Sequence, residues 1–93
     1  MVRAYYVYLL TNVNHTVLYI GVTNNLARRV GEHKAGVHKG FTKQYNTHKL
    51  VHFEDYPDIN AATARERQFK AGSRAKKLAL INTHNPAWEE LAG

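Results

Sequence analysis

The run "AYYVYLLT" at residues 4–11 constrains the fold more than any other stretch of the chain. It consists of aromatic and aliphatic residues that favour β-strands, with no polar residue alternating between them. Such a strand must be covered on both faces, because either face would otherwise expose apolar side chains to water. We therefore expect residues 4–11 to form the central strand of a sheet.

Two further strands are expected to pair with it. The polar link "NVNH" has the composition of a turn, and residues 16–22 after it repeat the β pattern, which predicts a hairpin. The stretch "KLVHFEDY" at 49–56 predicts a third strand that ends at Pro57.

The first helix is expected directly after the hairpin, from Leu26 to just before Gly36. Leu26, Val30 and His33 share one face at helical spacing. Arg29 lies one turn before His33, so the helix directs a cation and an imidazole towards whatever that face meets. Its N-cap is one of three residues with short side-chain acceptors: Thr23, Asn24 or Asn25.

Two more helices are expected after the third strand. One covers residues 61–71 with Asn60 as its N-cap. Gly72-Ser73 ends it and caps the next helix, which covers 74–82. The intervening stretch 35–48 mixes glycines with polar and basic residues and is expected to be an exposed basic loop.

The 93 residues, 1–93, are expected to form a single domain with a core at about 4–84 and a tail at 85–93. Trp88 and Leu91 are expected to pack this tail back on the core. No apolar run approaches a membrane span and no cleavable signal pattern is present, so a cytoplasmic location is expected. The chain contains no cysteine, which excludes disulfides and thiolate chemistry.

The formal net charge of +6 favours a polyanionic partner, above all nucleic acid. The alternative is that the charge only keeps the surface soluble. The histidines outside the first helix show no zinc-binding helix pattern, and each is expected at the surface or in a loop: His15, His38, His48, His52 and His84.

Glu66 breaks the apolar pattern of the second helix. It shares a stripe with Ala62 and Phe69, and a carboxylate in that position is costly unless it is paired or binds a metal ion. One interpretation pairs it with a neighbouring base: Arg65, Arg67 or Lys70. The other makes it a ligand for a hard cation such as Mg²⁺.

Tyr8 and Tyr19 lie on the two strands of the expected hairpin, and the second strand leads into the helix that carries Arg29 and His33. An unperturbed phenol, with a pKa of about 10, is a poor base. Beside a cation it can hold or accept a proton.

These residues resemble the signature of the GIY-YIG nucleases. "YVY" at 6–8 and "YIG" at 19–21 are similar to its two strand motifs, although the first has neither its glycine nor its isoleucine. Arg29 and His33 fall where that family carries an arginine and a histidine, and Glu66 matches its metal-binding glutamate. The overall pattern is most similar to the small stand-alone bacterial members.

The resemblance implies an α+β domain, a three-stranded antiparallel sheet flanked by helices in the order β-β-α-β-α-α. It implies a Mg²⁺- or Mn²⁺-dependent endonuclease with no other cofactor, acting on DNA or RNA, nicking or structure-selective, in repair or recombination. The alternatives are a non-catalytic nucleic-acid-binding module of this fold and a protein-interaction domain. The sequence predicts no oligomeric state.

The residues expected to perform these roles fall into three groups. The catalytic candidates are Tyr8, Tyr19, Arg29, His33 and Glu66, with Glu66 as the metal ligand. The nucleic-acid-binding candidates are Arg28, Lys34, His38, Lys39 and Lys43. The supporting candidates are Gly21 and a late asparagine, either Asn82 or Asn85.

Overall fold

A three-stranded antiparallel sheet forms the centre of the structure, a computed structural model that describes residues 4–36 and 46–91. Its strands are β1 (Tyr5–Thr11), β2 (Leu18–Thr23) and β3 (Lys49–Tyr56), in the order β2-β1-β3. The unbroken apolar run is therefore the central strand, as its composition predicts. The α+β architecture expected from the sequence is confirmed.

Three helices lie in the part of the chain that the structure describes: α1 (Leu26–Lys34), α2 (Ile59–Ala71) and α3 (Arg74–His84). Asn25 caps α1 by accepting from the backbone N–H of Arg28 at 3.1 Å. Gly36 follows with φ of +73°, in the left-handed region that favours glycine after a helix.

The expected N-cap of α2 is wrong. Asp58, rather than Asn60, accepts from the backbone N–H of Ala61 at 2.9 Å, so the helix begins two residues earlier than expected. An ionised carboxylate in this position also interacts favourably with the helix dipole, which an amide does not. Ser73 caps α3 as expected, and that helix continues to His84.

Each face of β1 belongs to a different apolar cluster, because alternate side chains of a strand point to opposite faces. Val7 and Leu9 pack with residues of α2 and α3, including Phe69 and Ile81. On the other face, a second cluster joins the sheet to α1: Tyr8, Leu10, Leu26, Val30 and Leu50. The sheet is thus covered on both faces, which places α1 and α2 on opposite sides of the same strands.

The C-terminal segment packs on the core as expected. Trp88 is buried, and Leu91 packs against the cluster beneath α1. The backbone N–H of Leu91 donates to the carbonyl of Leu50 at 2.8 Å, and the N–H of Leu50 donates to Glu90 Oε2 at 2.6 Å. These bonds cover part of the outer edge of β3.

The expectation that His52 lies at the surface or in a loop is wrong. It is buried in β3, because this position faces α2, and its ring meets Phe69 edge-on. Its Nε2 lies 2.9 Å from Glu54 Oε2, and Glu54 also accepts from Arg65 Nε at 2.8 Å. The imidazole is therefore tolerated inside because a carboxylate satisfies it.

Candidate active site

A cleft of about 520 Å³ opens at the edge strand β2, between α1 on one side and α2 and α3 on the other. Residues from every element except β3 contribute to it. Six of the side chains that line it carry a hydroxyl or a charge: Tyr8, Tyr19, Arg29, Glu66, Lys70 and Lys77. Four of these are among the five expected catalytic residues and come from β1, β2, α1 and α2; the fifth, His33, does not line the cleft.

Tyr8 lies deepest in the cleft and is only 1% exposed. Its hydroxyl and His33 Nε2 are joined by a hydrogen bond of 3.2 Å. The rings of Tyr19 and His33 are 5.3 Å apart between centroids, and those of Tyr8 and Tyr19 are 6.3 Å apart. Two tyrosines and a histidine thus form one packed group beneath the cleft.

The phenol of Tyr8 is not placed to act as a base at neutral pH. Burial raises its pKa well above the ordinary value of 10.0, and the neighbouring Tyr19 raises it further. Arg29 acts in the opposite direction but does not cancel these effects. Tyr8 therefore stays protonated and can only donate or share its hydroxyl proton.

Arg29 reaches the cleft from α1 with one hydrogen-bond donor unused. Its buried Nε has no hydrogen-bond partner, and Glu32 Oε1 lies 3.5 Å away, a distance of electrostatic attraction only. Leaving a buried donor unsatisfied costs about 1–3 kcal/mol, so such atoms call for an explanation. A ligand with acceptor oxygens in the cleft would supply the missing bond.

Glu66 enters the cleft from α2, opposite Arg29, with a side chain 21% exposed. Its Oε2 lies 3.2 Å from Lys70 Nζ, so the pairing considered from the sequence does form with one of the three candidate bases. The same carboxylate still lines the cleft. Within residues 4–36 and 46–91, no group of three or more histidine or acidic side chains could hold a metal ion.

The GIY-YIG catalytic domain matches this chain over residues 4–79. The chain belongs to the GIY-YIG family. It is similar to a UPF0213 protein of Natronomonas pharaonis, 42% identical over 81 residues that cover 87% of this chain and 94% of that protein. A UPF0213 protein of Lactiplantibacillus plantarum is 35% identical over 86 residues, with 90% and 84% covered.

A solved structure has the same fold. The solution NMR structure of a UPF0213 protein from Bacillus halodurans matches with a TM-score of 0.59 and 28% identity, covering 94% of this chain and 92% of that one. The UPF0213 designation states no reaction. The family is therefore shown by the matching GIY-YIG domain, and the fold by the solved structure.

The GIY-YIG motif glycine, Gly21, has a steric role that the structure makes plain. It pairs with Tyr8 across β1 and β2, and the tyrosine ring lies directly over it. A Cβ at Gly21 would be 2.5 Å from Tyr8 Cζ, closer than any real contact. Only glycine lets the tyrosine ring lie against the strand.

The expected nucleic-acid-binding residues are not brought together in the described part of this GIY-YIG domain. Arg28 is exposed and 3.8 Å from Glu32, and Lys34 Nζ is 2.5 Å from Glu90 Oε1. Neither lines the cleft. His38, Lys39 and Lys43 lie outside the described residues.

The two candidate asparagines both have structural contacts away from the cleft. Asn82 Oδ1 accepts from Trp88 Nε1 at 2.7 Å. Asn85 is buried, and its amide donates to the carbonyls of Val51 at 3.1 Å and Glu89 at 2.9 Å. Both residues hold the C-terminal segment, and neither lines the cleft.

Sequence reasoning named Lys70 only as a candidate partner of Glu66 and missed Lys77, and both line the GIY-YIG cleft beside Glu66. Lys70 lies four residues after Glu66, so helical spacing alone could have placed it on the same face. Lys77 could not be found in this way, because its position depends on the angle between α2 and α3.

Proposed function

We propose that this protein is a divalent-cation-dependent nuclease that hydrolyses phosphodiester bonds in DNA. The observation that carries the proposal is the convergence of Tyr19, Arg29 and Glu66, from three separate elements, in one open cleft. Membership of the GIY-YIG family supports the same chemistry. A phenol, a guanidinium and a carboxylate suit a reaction in which negative charge grows on a phosphoryl group.

Arg29 would bind the scissile phosphate. Its Nε is buried without a hydrogen-bond partner, and its planar guanidinium can donate two parallel bonds to phosphate oxygens. Because Tyr8 and Val30 pack around the base of its helix, the arginine is presented from a rigid element. The bond to phosphate would strengthen as charge develops in the transition state.

Glu66 would hold the divalent cation, Mg²⁺ or Mn²⁺. Magnesium sites commonly use one or two carboxylates, several waters and oxygens of a substrate phosphate, and one half-buried carboxylate in an open cleft fits that donor set. Lys70, an exposed and flexible side chain, can leave the carboxylate when the cation enters. When bound, such a cation supplies Lewis-acid stabilisation of the phosphoryl oxygens.

Tyr19 would contact the attacking water, since it lines the cleft and is only partly buried. Tyr8 stays protonated and buried, so we assign it a positioning role rather than that of a base. His33 is buried beneath both rings and would fix their orientation. Its expected part in proton transfer would then act through Tyr8, to which it is hydrogen-bonded.

The biological setting we propose is the one that the resemblance implies: a nicking or structure-selective endonuclease of DNA repair or recombination, working in the cytoplasm. The open cleft can accept a nucleic-acid strand, and RNA is the second substrate class to test. None of the described helices has the length and apolar character needed to cross a bilayer.

Cleavage of a defined substrate panel tests the proposal. Purified protein is incubated with Mg²⁺, Mn²⁺ or chelator and with supercoiled plasmid, single-stranded DNA, flap DNA, branched DNA and RNA. We expect cleavage of at least one DNA substrate that chelator abolishes. Binding without cleavage of any substrate would instead support a non-catalytic module, and neither binding nor cleavage would support a protein-interaction domain.

A further inference from the structure

The basic side chains of α1 are largely neutralised within the protein. On the exposed side of this helix, Arg28 lies 3.8 Å from Glu32 and Lys34 is paired with Glu90. A cation that already has a carboxylate partner gains less from a phosphate, because it must first give up that partner. The exposed side of α1 is therefore a weaker phosphate-binding surface than its sequence indicates.

The junction of α2 and α3 has the opposite character. Residues 67–77 contain five basic residues and no acidic one: Arg67, Lys70, Arg74, Lys76 and Lys77. Lys70 is paired with Glu66, and Arg74 Nη2 donates to the carbonyl of Thr16 at 3.0 Å. In the described part of the chain, no carboxylate lies within 4 Å of Lys76 or Lys77.

This charge distribution opposes the ordinary electrostatics of a helix. The first turn of α3 has no acidic residue, while Arg74, Lys76 and Lys77 surround its positive dipole end. Such an arrangement destabilises the helix, because like charges repel at its positive end. Departures from local rules of this kind are expected where function requires them.

Lys76 and Lys77 are neighbours in sequence, but only Lys77 reaches the candidate active-site cleft. Lys77 lines the candidate active-site cleft together with Lys70, Glu66 and Arg29. Both lysines line a separate groove between α2 and α3, and Lys76 is absent from the cleft. Lys70 and Lys77, which we call the lysine pair, therefore add to the positive charge of Arg29 at the cleft.

We propose that the lysine pair binds the backbone phosphate next to the scissile one, so that the nucleic-acid strand crosses the edge of β2 from Arg29 towards the α2–α3 junction. This inference rests on the proposed function, because it takes the phosphate at Arg29 as its reference point. Lys70 and Lys77 belong to α2 and α3, on the side of the cleft away from α1, where a strand that crosses β2 from Arg29 would continue. The lysine pair would determine the path of the strand. Arg29 and Glu66 would determine which bond is cut.

The contacts of Lys77 suit this role. Its Nζ donates to the carbonyl of Gly72 at 3.1 Å, which holds the side chain at the start of α3. An ammonium group has three donors, so two remain for phosphate oxygens. Lys70 would become available in the same complex once a cation takes its place on Glu66.

The test compares Lys77→Gln with Lys76→Gln, a matched pair that removes one charge from adjacent positions of the same turn. Affinity for a short fluorescein-labelled DNA duplex is measured by anisotropy over a range of salt concentrations, with chelator present so that no cleavage intervenes. Losing one phosphate contact should raise the Kd about fivefold near physiological salt and reduce the slope of log K against log salt by about 1. We expect this for Lys77→Gln, no change for Lys76→Gln, and recovery in Lys77→Arg. Lys70→Gln should have a smaller effect in chelator, because without a cation Lys70 stays paired with Glu66.

Equal effects of Lys77→Gln and Lys76→Gln would overturn the inference, since they would show a diffuse field of charge. An unchanged salt slope in Lys77→Gln would also overturn it. Thermal unfolding of each variant shows whether the fold is retained. If Lys77→Gln weakens binding but the wild type cleaves nothing with Mg²⁺, the nuclease proposal fails, while the contact between the lysine pair and a backbone phosphate is supported. If the wild type cleaves DNA but Lys77→Gln binds normally, only the proposed phosphate contact of the lysine pair fails.

Discussion

The ring of Tyr8 lies against the backbone of Gly21, its partner across the β1–β2 ladder, with no space for a side chain between them. This contact brings the hydroxyl of Tyr8 within 3.2 Å of His33 Nε2 on α1. A glycine in one strand therefore fixes a tyrosine of the next strand, which in turn positions a histidine of the helix. The floor of the candidate active site depends on this arrangement.

Gly21→Ala should displace Tyr8 and reduce cleavage at least tenfold, while destabilising the fold by about 1–3 kcal/mol because the added methyl overpacks a buried contact. Gly31→Ala is the matched control. A Cβ there meets nothing within 4 Å, and alanine is the better helix former, so this variant should be as stable as the wild type or more so. Urea unfolding and cleavage rates provide the comparison, and equal behaviour of the two variants would contradict the packing argument.

Tyr8→Phe and Tyr19→Phe should differ in how much they lower the stability of the fold and the rate of cleavage. Tyr8→Phe removes a buried hydrogen bond to His33 and should cost about 1–2 kcal/mol of unfolding free energy as well as activity. Tyr19→Phe, at a partly exposed position, should lower the cleavage rate with a smaller loss of stability. Single-turnover rates and denaturation curves of both variants separate the positioning role from the direct one. A larger loss of stability in Tyr19→Phe would reverse the assignment.

Arg29→Lys should lower the single-turnover cleavage rate by roughly one to three orders of magnitude, about 1.4–4 kcal/mol of barrier, because lysine lacks the planar fork that binds two phosphate oxygens. Arg28→Lys is the control, since Arg28 is exposed on the same helix and does not line the cleft. It should cleave at the wild-type rate. Small and equal effects at the two positions would mean that α1 presents only a general basic face.

Stability at acid pH should depend on Glu54. Burial acts to raise its pKa, but hydrogen bonds from Arg65, Tyr56 and His52 outweigh it and lower the pKa from 4.5 to about 2. The unfolded chain thus takes up this proton at a higher pH than the folded one. The stabilisation, on the order of 3 kcal/mol, is present above pH 4.5 and is lost as the pH falls towards 2.

The unfolding free energy of Glu54→Gln should therefore fall less steeply than that of the wild type between pH 4.5 and pH 2. Asp55→Asn, at the adjacent exposed position of β3, should retain the wild-type decline. Urea denaturation at a series of pH values measures both variants. A decline in Glu54→Gln as steep as that of the wild type would show that another carboxyl group is responsible.

Local sequence patterns were sufficient for much of the fold. The apolar run at 4–11 identifies the central strand, 49–56 coincides with β3, and Leu26, Val30 and His33 are the buried face of α1. Each of these features depends on periodicity or composition within a few residues. Features that depend only on neighbouring residues can therefore be predicted from the sequence.

Features that depend on distant contacts could not be predicted in the same way. His52 is buried because the α2 face covers it, and a helix that follows later in the chain is not indicated by the residues around His52. Only its partner Glu54, two residues away on the same strand, is local. Lys77 reaches the cleft only because α3 turns back beside α2. The resemblance to the family indicated which tyrosines, arginine and glutamate would come together in one site. Which lysines lie beside them depends on how the helices pack.

The central claim is that this cleft is the active site, and plasmid nicking tests it most directly. The nicking rate of supercoiled plasmid in Mg²⁺ is compared for the wild type, Glu66→Gln and Glu89→Gln. Both substitutions remove one negative charge, but Glu66 lines the cleft and Glu89 is exposed outside it. We predict that Glu66→Gln nicks at least 100-fold more slowly than the wild type, a loss of about 2.7 kcal/mol or more of transition-state stabilisation, while Glu89→Gln matches the wild type. Equal nicking rates in the two variants would contradict the assignment of this cleft as the active site.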